Sequence, residues 1–494
     1  MPPTGRPTWI PTSADYRQVL AEQNPWRDIG AVPEALAPAI ERPLARCLWQ
    51  RLQSDAPKRY QLILGPRRVG KATAMYQMVR SLMAAGVPPN RLWWLRLDHP
   101  LLMRFPLDAL VRLILDAPGV ATDAPIYLFL DELTYAKNWD LWLKTFYDEQ
   151  WPIRIAGTSS CTAALRDRRV ESGVGRWEEQ YLQPYLFTEF LELMEHPVRV
   201  PVRDTLAHTI RATMEENVSL EGLGELRRRY LLTGGFPEVL LSWRGQAPDD
   251  ATALLQSQRT LRSDAVERAI YKDIPQAFGV ENPMMLERFL YTLAGQVTGL
   301  LSPATIGQSL DGMSQQTFDR YLSYIERAFL VFTLTNFSGG EVQRQRRGRK
   351  LYFVDGAVRN AALQRGLAPL GDSAEMGMLT ENMVAGHLHA LSQQSQVRLH
   401  HWRDRDAEVD LIYDHPTEPL AFEIGLSPRH AATGLRRFLD RCQRFHGGCY
   451  LAAPNAPLVR ASDANGGVGV LPLDLLLLAV GAQAERELER RLTA

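Results

Sequence analysis

The sequence predicts an α/β fold: a helix-covered parallel sheet in the first half of the chain and a second strand-rich region in the last third. Three observations predict it. Between about Tyr60 and Leu182, the apolar runs YQLIL, RLWWLRLD, IYLFLDE and IRIAGTSS alternate with the helical patterns KATAMYQMVRSLMAAG and WDLWLKTFYDEQW. Strands that alternate with helices pair in parallel, because each helix carries the chain back to the end where it started. The run YQLIL then leads straight into GPRRVGK, a glycine-bracketed turn between a strand and a helix. After residue 350 the pattern returns to strands, in LYFVD, VRLHHW, AEVDLIYD and PLAFEIGL.

The bulk properties set limits. At 494 residues the chain is too long for one core, and about two to four domains are expected. Apolar residues make up 45% and charged residues 23%, as in ordinary globular proteins. The formal net charge is zero, so attraction to nucleic acid must come from local patches. Cys47, Cys161, Cys442 and Cys449 form no CxxC pair. That argues against zinc and disulfide frameworks and predicts a cytoplasmic protein. The start, MPPTGRPTWIPTSADYRQ, lacks the basic-then-apolar order of a signal peptide. The run LPLDLLLLAVGA contains Asp474 and is too short to cross a bilayer; a buried strand or helix is expected there, and no membrane partner.

Other segments read more simply. Residues 1–40, rich in Pro and polar residues, are expected on the surface. Residues 185–275 read as mostly helical. SPATIGQSL followed by SQQTFDRYLSYIERAFL reads as two short helices and a longer one, the arrangement of a winged helix. QRQRRGRK at 343–350 reads as a basic loop: Arg344, Arg346, Arg347, Arg349 and Lys350 either grip phosphates or form a solvated hairpin tip.

GPRRVGK carries the strongest chemical signal. Gly65 and Gly70 bracket Pro66, Arg67, Arg68 and Val69, and Lys71 follows at the start of a helix. Such a loop turns its backbone N–H groups toward a phosphate, and the helix N-terminus adds its dipole. Lys71 is expected to reach the β- and γ-phosphates of ATP. The next residue normally gives a hydroxyl to Mg²⁺; here it is Ala72, and Thr73 follows. One helical step turns a side chain by about 100°, so Thr73 is expected on a phosphate nearer the base. ATP and Mg²⁺ are the expected cofactors, with Mg²⁺ affinity and turnover compromised.

Further along, IYLFLDE ends in Asp131 and Glu132. Asp131 is expected to hold Mg²⁺ through water and Glu132 to polarise the attacking water; a merely solvated strand end is the alternative. The next strand ends in Thr158, Ser159 and Ser160, with Ser159 the candidate to sense the γ-phosphate or position water; an ordinary polar strand end is the alternative. Arg176 is either an arginine finger for a neighbouring subunit's nucleotide, which implies a homo-oligomer, or a surface residue.

In this order the motifs GPRRVGK, LFLDELTYAKNWDLWLK, GTSS, GRWEEQYLQPYLFTEFL, YLLTGGFPEVL, KLYFVDGAVRNAAL, LTENMV, HWRDRDAEVDLI and FEIGLS run through most of the chain. Together they resemble the bacterial and archaeal AAA-family ATPases that carry a C-terminal DUF4143-type domain, itself similar to restriction endonucleases. The resemblance implies an ASCE/AAA-type P-loop core, a helical lid, a winged helix and a restriction-endonuclease-like α/β domain. The boundaries expected are an N-terminal extension over 1–40, the ATPase domain over 41–195 and the lid over 196–275. The winged helix follows over 276–342 and the nuclease-like domain over 343–494. GGFPEVL also resembles the lid motif of signalling ATPases, which implies that Pro237 packs near the nucleotide base; a helix starting with Pro in its first turn fits as well.

The resemblance also puts Glu381, Asp410 and Glu423 in the metal-binding carboxylate positions of a nuclease, where Mg²⁺ polarises a phosphate. The lysine expected two residues after Glu423 is replaced by Gly425, in AFEIGLS. The activating group is then absent unless another element supplies it. Trp402 and His401 beside these acids either stack on bases or lie in the core. The expected function is an ATP-binding protein that couples nucleotide state to a winged helix and an inactive nuclease-like region, with DNA as partner. The alternatives are a slow nucleotide switch that binds protein partners and an ATP-regulated nuclease.

Overall fold

The structure is a computed structural model that describes residues 12–55, 58–117, 124–161, 175–216, 218–243, 251–337, 348–427, 432–464 and 466–493. The chain forms two compact units, residues 1–64 with 71–180 and residues 65–70 with 181–494.

The first unit holds a five-stranded sheet in the order β2-β3-β4-β1-β5. The strands are β1 Tyr60–Leu64, β2 Leu92–Arg96, β3 Ile126–Asp131, β4 Ile153–Ser159 and β5 Trp177–Tyr181. β1 pairs in parallel with β4, β4 with β3, and β3 with β2. Every residue of β1 and β4 is buried, which is why they read as unbroken apolar runs rather than alternating ones. The helices Lys71–Ala84, Leu107–Leu115 and Trp139–Asp148 cover the sheet with Met75, Met78, Leu82, Leu110, Ile114, Leu143 and Phe146. With β4 between β1 and β3, the C-terminal ends of three strands lie side by side.

The N-terminal segment departs from its expected surface position. Trp26 is fully buried, and its indole N–H donates to Leu92 O at 3.2 Å. The Asn24 amide donates to Trp94 O at 2.9 Å and accepts the Trp94 N–H. These side chains supply the hydrogen bonds that edge strand β2 would otherwise lack. Polar composition misled here because a single Asn and a single Trp do the docking.

The second unit is helical up to Ala294 and then builds a mixed sheet in the order β12-β11-β10-β9-β8-β6-β7. Its strands are β6 Val331–Asn336, β7 Lys350–Phe353, β8 Arg398–Asp404, β9 Ala407–Asp414, β10 Leu420–Ile424, β11 Cys449–Ala453 and β12 Val468–Pro472. Helices Pro283–Ala294, Pro303–Ser309 and Gln315–Arg327 precede β6. Between the first two, Thr298 and Leu301 donate N–H groups to Leu351 O and Arg349 O, each at 2.8 Å, and so add a short segment to β7. The sheet therefore runs on from these helices into the C-terminal strands. Helix Leu473–Thr493 takes up the apolar run that follows β12 and is buried over its first nine residues; its Asp474 pairs with Arg227. No helix among the described residues is long and apolar enough to cross a membrane.

Of the two readings of Trp402 and His401, the structure supports the core position, and it corrects the phosphate-gripping reading of Lys350. Trp402 is in the core, edge-on to Phe438 at 5.3 Å, and His401 is wholly buried with Nε2 3.1 Å from Gly348 O. Neither can stack on a base. Of the basic loop, Arg344, Arg346 and Arg347 lie outside the described residues. Arg349 pairs with Asp319 at 2.8 Å. Lys350 is only 2% exposed, so it cannot grip a phosphate from a hairpin tip.

The GGFP motif is explained by packing. Gly235 N–H donates to Asp355 Oδ2 at 2.7 Å, and Asp355 Oδ1 accepts the Ala357 N–H at 2.8 Å. A Cβ on Gly234, which has φ +67°, would run into the Asp355 carboxylate, and one on Gly235 would run into the Tyr185 backbone. Both glycines are thus required by close approach.

His387 fixes the start of helix Phe187–Leu193 from below. Its Nε2 accepts the Phe187 N–H at 2.8 Å, so Nδ1 carries the proton and donates it to Met383 O at 2.8 Å. Burial lowers its pKa to about 4. A depressed histidine contributes stability that is present above the unfolded value of about 6.5 and is lost as pH falls toward 4. The expected loss across that window is about 3 kcal/mol from this residue, at about 1.4 kcal/mol per unit. Urea unfolding at stepwise pH should show it, with His387→Gln flattening the slope; equal slopes in the two proteins would refute the assignment.

Candidate nucleotide site and the C-terminal carboxylate cluster

At the C-terminal ends of β1, β3 and β4 the first unit gathers a hydrogen-bonded group. Lys71 Nζ donates to Ser160 Oγ at 2.9 Å, and Ser160 Oγ donates to Glu132 Oε1 at 3.3 Å. Thr158 Oγ1 donates to Asp131 Oδ1 at 2.6 Å and accepts the Glu132 N–H at 2.9 Å. Glu132 has φ +53°, a left-handed conformation that costs a non-glycine residue about 1 kcal/mol or more. Burial, then the neighbouring Glu132, pushes the Asp131 carboxyl up to about 6. A bound cation would relieve both effects.

Ser159 is not part of this group. Side chains alternate along a strand, so Thr158 and Ser160 share one side and Ser159 faces the other. Its hydroxyl donates to Cys161 O at 2.8 Å and accepts the Cys161 N–H at 3.2 Å, closing a local turn. Arg176 forks onto Asp148 of its own chain, at 2.7 and 3.0 Å. Ala72 and Thr73 are half-buried at the start of helix Lys71–Ala84.

The loop Gly65–Gly70 belongs to the second unit. Gly65 lies so close to Leu182 O that a Cβ could not fit. Gly70 and Arg68 have φ +87° and +67°, and Val69 is fully buried. The Arg67 guanidinium forks onto Asp273, and Arg68 pairs with Glu238 at 2.8 Å and with Asp264. These acids were invisible to motif reading, because they lie some two hundred residues downstream in sequence. Pro237 opens helix Pro237–Trp243 two residues after the Asp355-bound Gly235.

Residues 57–191 match a family model described as an AAA domain. The chain carries an AAA domain. Residues 376–475 match a domain of unknown function, DUF4143, and residues 224–368 match another, DUF8612. The chain is similar to an uncharacterized protein of Methanocaldococcus jannaschii, 24% identical over 386 residues, or 76% of this chain and 77% of that one. It is also similar to an uncharacterized protein of Haemophilus influenzae, 21% identical over 345 residues, 69% of this chain and 78% of that one. Solved structures similar to it include the Walker-type ATPase PABY2304 of Pyrococcus abyssi, at 14% identity and TM-score 0.38 over 65% of this chain and 94% of that one. Another is the Aeropyrum pernix Orc1 protein in complex with DNA, at 14% identity and TM-score 0.31 over 70% and 97%. Within the AAA domain, the parallel sheet with one strand between the lysine-bearing turn and the Asp131 strand is the arrangement of a P-loop ATPase.

Gly425 leaves no lysine beside Glu423, but a lysine from an earlier strand meets the neighbouring carboxylates. Lys350, on β7, holds Glu381 at 2.8 Å, Glu408 at 2.6 Å and Asp410 at 3.0 Å. Tyr352, two residues on and on the same face, donates to Glu381 at 2.8 Å. Asp410 Oδ2 also accepts the Ile424 N–H at 2.9 Å. β8 and β6 lie between β9 and β7, a span of about 14 Å in a flat sheet. The lysine stem, the 3.0 Å contact and the aspartate side chain together cover most of that distance, so Lys350 reaches across the two intervening strands at nearly full extension. Glu423, buried on β10, is not among the three carboxylates that Lys350 holds; Glu408 takes that place. Burial, then Asp410, pushes Glu381 up to about 8 against the pull of Lys350. Among the described residues no three His, Cys, Asp or Glu side chains are grouped to hold a metal ion. At this cluster the ammonium of Lys350 stands among the acids where a cation would.

Proposed function

We propose that this protein is an ATP-binding, slowly hydrolysing switch whose nucleotide state governs a DNA-binding winged helix and a nuclease-like region that does not cut. The observation that carries the reading is the group of Lys71, Ser160, Glu132, Asp131 and Thr158 at the strand ends. Its donor set fits ATP with Mg²⁺: a lysine for the β- and γ-phosphates, a desolvated carboxylate for the metal and a second carboxylate for water. Mg²⁺ bound with ATP would neutralise charge that develops on the γ-phosphate. The one poor fit is Ala72, which offers the metal no hydroxyl, and it favours slow turnover.

Support for the DNA reading comes from element order. Three helices, a short strand segment after the first, and the β6–β7 pair follow the plan of a winged helix. Helix Gln315–Arg327 buries Phe318, Leu322 and Ile325 and exposes Gln315, Gln316 and Arg320. The sequence between β6 and β7 carries Arg344, Arg346, Arg347 and Arg349, suited to phosphates. A switch that binds protein instead is the second reading; Asp319 on the same helix, paired with Arg349, lowers the positive charge available to DNA.

The test joins both halves. Fluorescent ATP should bind the wild type, and Lys71→Ala should weaken it about 10–100-fold, the worth of a charge-assisted phosphate contact. Labelled duplex DNA should bind in a salt-dependent way that ATP alters in the wild type but not in Lys71→Ala, and Mg²⁺ should leave the DNA uncut. A wild type that binds no purine nucleotide sinks the ATP reading; nucleotide binding without DNA binding promotes the protein-partner switch.

A further inference from the structure

The phosphate loop is tied to an unusual helix. Residues Arg262–Glu267 and Ala269–Asp273 are wound as π-helix, interrupted only at Arg268. π-helix normally occurs as a single widened turn, because its hydrogen bonds are poorer, and it concentrates at functional sites. Here it spans more than two turns. Asp264 and Asp273, nine residues apart within it, hold Arg68 and Arg67 of the loop. Nine α-helical steps of about 100° make two and a half turns and put the two acids on opposite faces. At about 4.4 residues per π-turn, nine steps close to two whole turns and put them on the same face. The π winding is therefore what lets one helix meet two adjacent arginines.

The pairing has the marks of a device that shapes the loop. The Arg67 and Asp273 side chains are 12% and 7% exposed, so breaking the pair strands a charge in a poorly solvated place. Arg68 holds a left-handed backbone, which a non-glycine residue keeps only when its surroundings impose it. Its guanidinium is gripped from two helices, by Asp264 and by Glu238. Both arginines occupy loop positions whose backbone N–H groups would face a phosphate, so their side chains leave in the direction of the lid segment.

We infer that Asp264 and Asp273 are positioning residues for the phosphate loop, and that through Arg68 and Arg67 the loop's occupancy sets the state of helix 262–273. The inference rests on the ATP reading above and adds its output element. Loop and helix form one mechanical piece: a loop closed on phosphates keeps Arg67 and Arg68 directed at the π-helix, and an empty loop lets the π winding relax.

Hydrogen exchange on the full chain tests it, with and without ATPγS and Mg²⁺. In the wild type, nucleotide should slow exchange both in helix 71–84 and in helix 262–273. In Asp273→Asn, which keeps shape and removes charge, the first protection should persist and the second should vanish, with ATP binding weakened about tenfold. Exchanging the partners, Arg67→Asp with Asp273→Arg, should recover both. Protection of 71–84 without any response at 262–273 in the wild type overturns the inference and leaves ATP binding intact. Protection of neither segment overturns the ATP reading and this inference with it. Asp273→Asn that binds ATP like the wild type and keeps the response at 262–273 shows the ion pairs to be structural only and overturns the inference.

Discussion

Lys350→Met is expected to destabilise the second unit by about 3–5 kcal/mol, the usual result of removing one partner from a buried ion pair. The reason lies in what remains. Glu381, Glu408 and Asp410 all turn toward the ammonium, and Tyr352 adds a buried hydroxyl. Without Lys350, three acids face each other with only one of them, Glu408, appreciably open to water, its side chain 34% exposed. Methionine matches the volume of the lysine stem, so little of the loss is a packing defect. Guanidinium unfolding should show a lowered midpoint with an unchanged slope. Glu408→Gln, at the solvated rim, should cost under about 1 kcal/mol. Combining Lys350→Met with Glu381→Gln and Asp410→Asn should restore much of the loss, because a cluster removed whole no longer strands a charge. Full stability in Lys350→Met alone would mean that the carboxylates are not held by this lysine.

The same cluster shows how far the sequence could be read. Four of the five strands of the first sheet were legible, because a strand buried on both faces is written as an apolar run and GPRRVGK marks where the first strand ends; β5, WEEQY, was missed because it is polar and only partly buried. Asp131, Glu132 and Lys71 could be placed from that pattern alone. The choice of Ser159 within Thr158, Ser159 and Ser160 could not, since alternation says only that two of the three share a face, and not which face meets Asp131. The replacement of a lysine by Gly425 was correct as a statement about linear spacing. It missed Lys350 because that residue sits sixty positions before Asp410, on a strand separated from β9 by β8 and β6, and no local window links the two. For the same reason Lys350 read as part of a basic loop. Composition failed at the N-terminus in the opposite way: an isolated Asn24 and Trp26 look like surface residues until the unpaired edge of β2 is there to receive them.

Glu132→Gln should lower ATP turnover about 10²–10⁴-fold, the range that a positioned general base contributes, and should leave ATP affinity unchanged. Glu132 is placed by its own backbone rather than by its neighbours in sequence. Its φ of +53° swings the residue out of the strand, and Thr158 Oγ1 takes its N–H at 2.9 Å. The carboxylate then meets Ser160 Oγ at 3.3 Å, beside the Lys71 ammonium that the same hydroxyl accepts at 2.9 Å. Glutamine keeps the shape and one acceptor oxygen, so the Ser160 bond and the left-handed backbone should survive, and melting temperature should not move. On the proposed reading, what disappears is the basic oxygen that would take a proton from water, with Asp131 next to it left to hold the metal. The separation of roles predicts separate losses: Lys71→Ala fails at binding, and Glu132→Gln binds and stalls. Phosphate release measured at saturating ATP, beside a fluorescent-nucleotide titration on the same preparations, tests this. Turnover in Glu132→Gln equal to the wild type would remove Glu132 from the reaction and leave the left-handed turn at the end of β3 without a catalytic purpose.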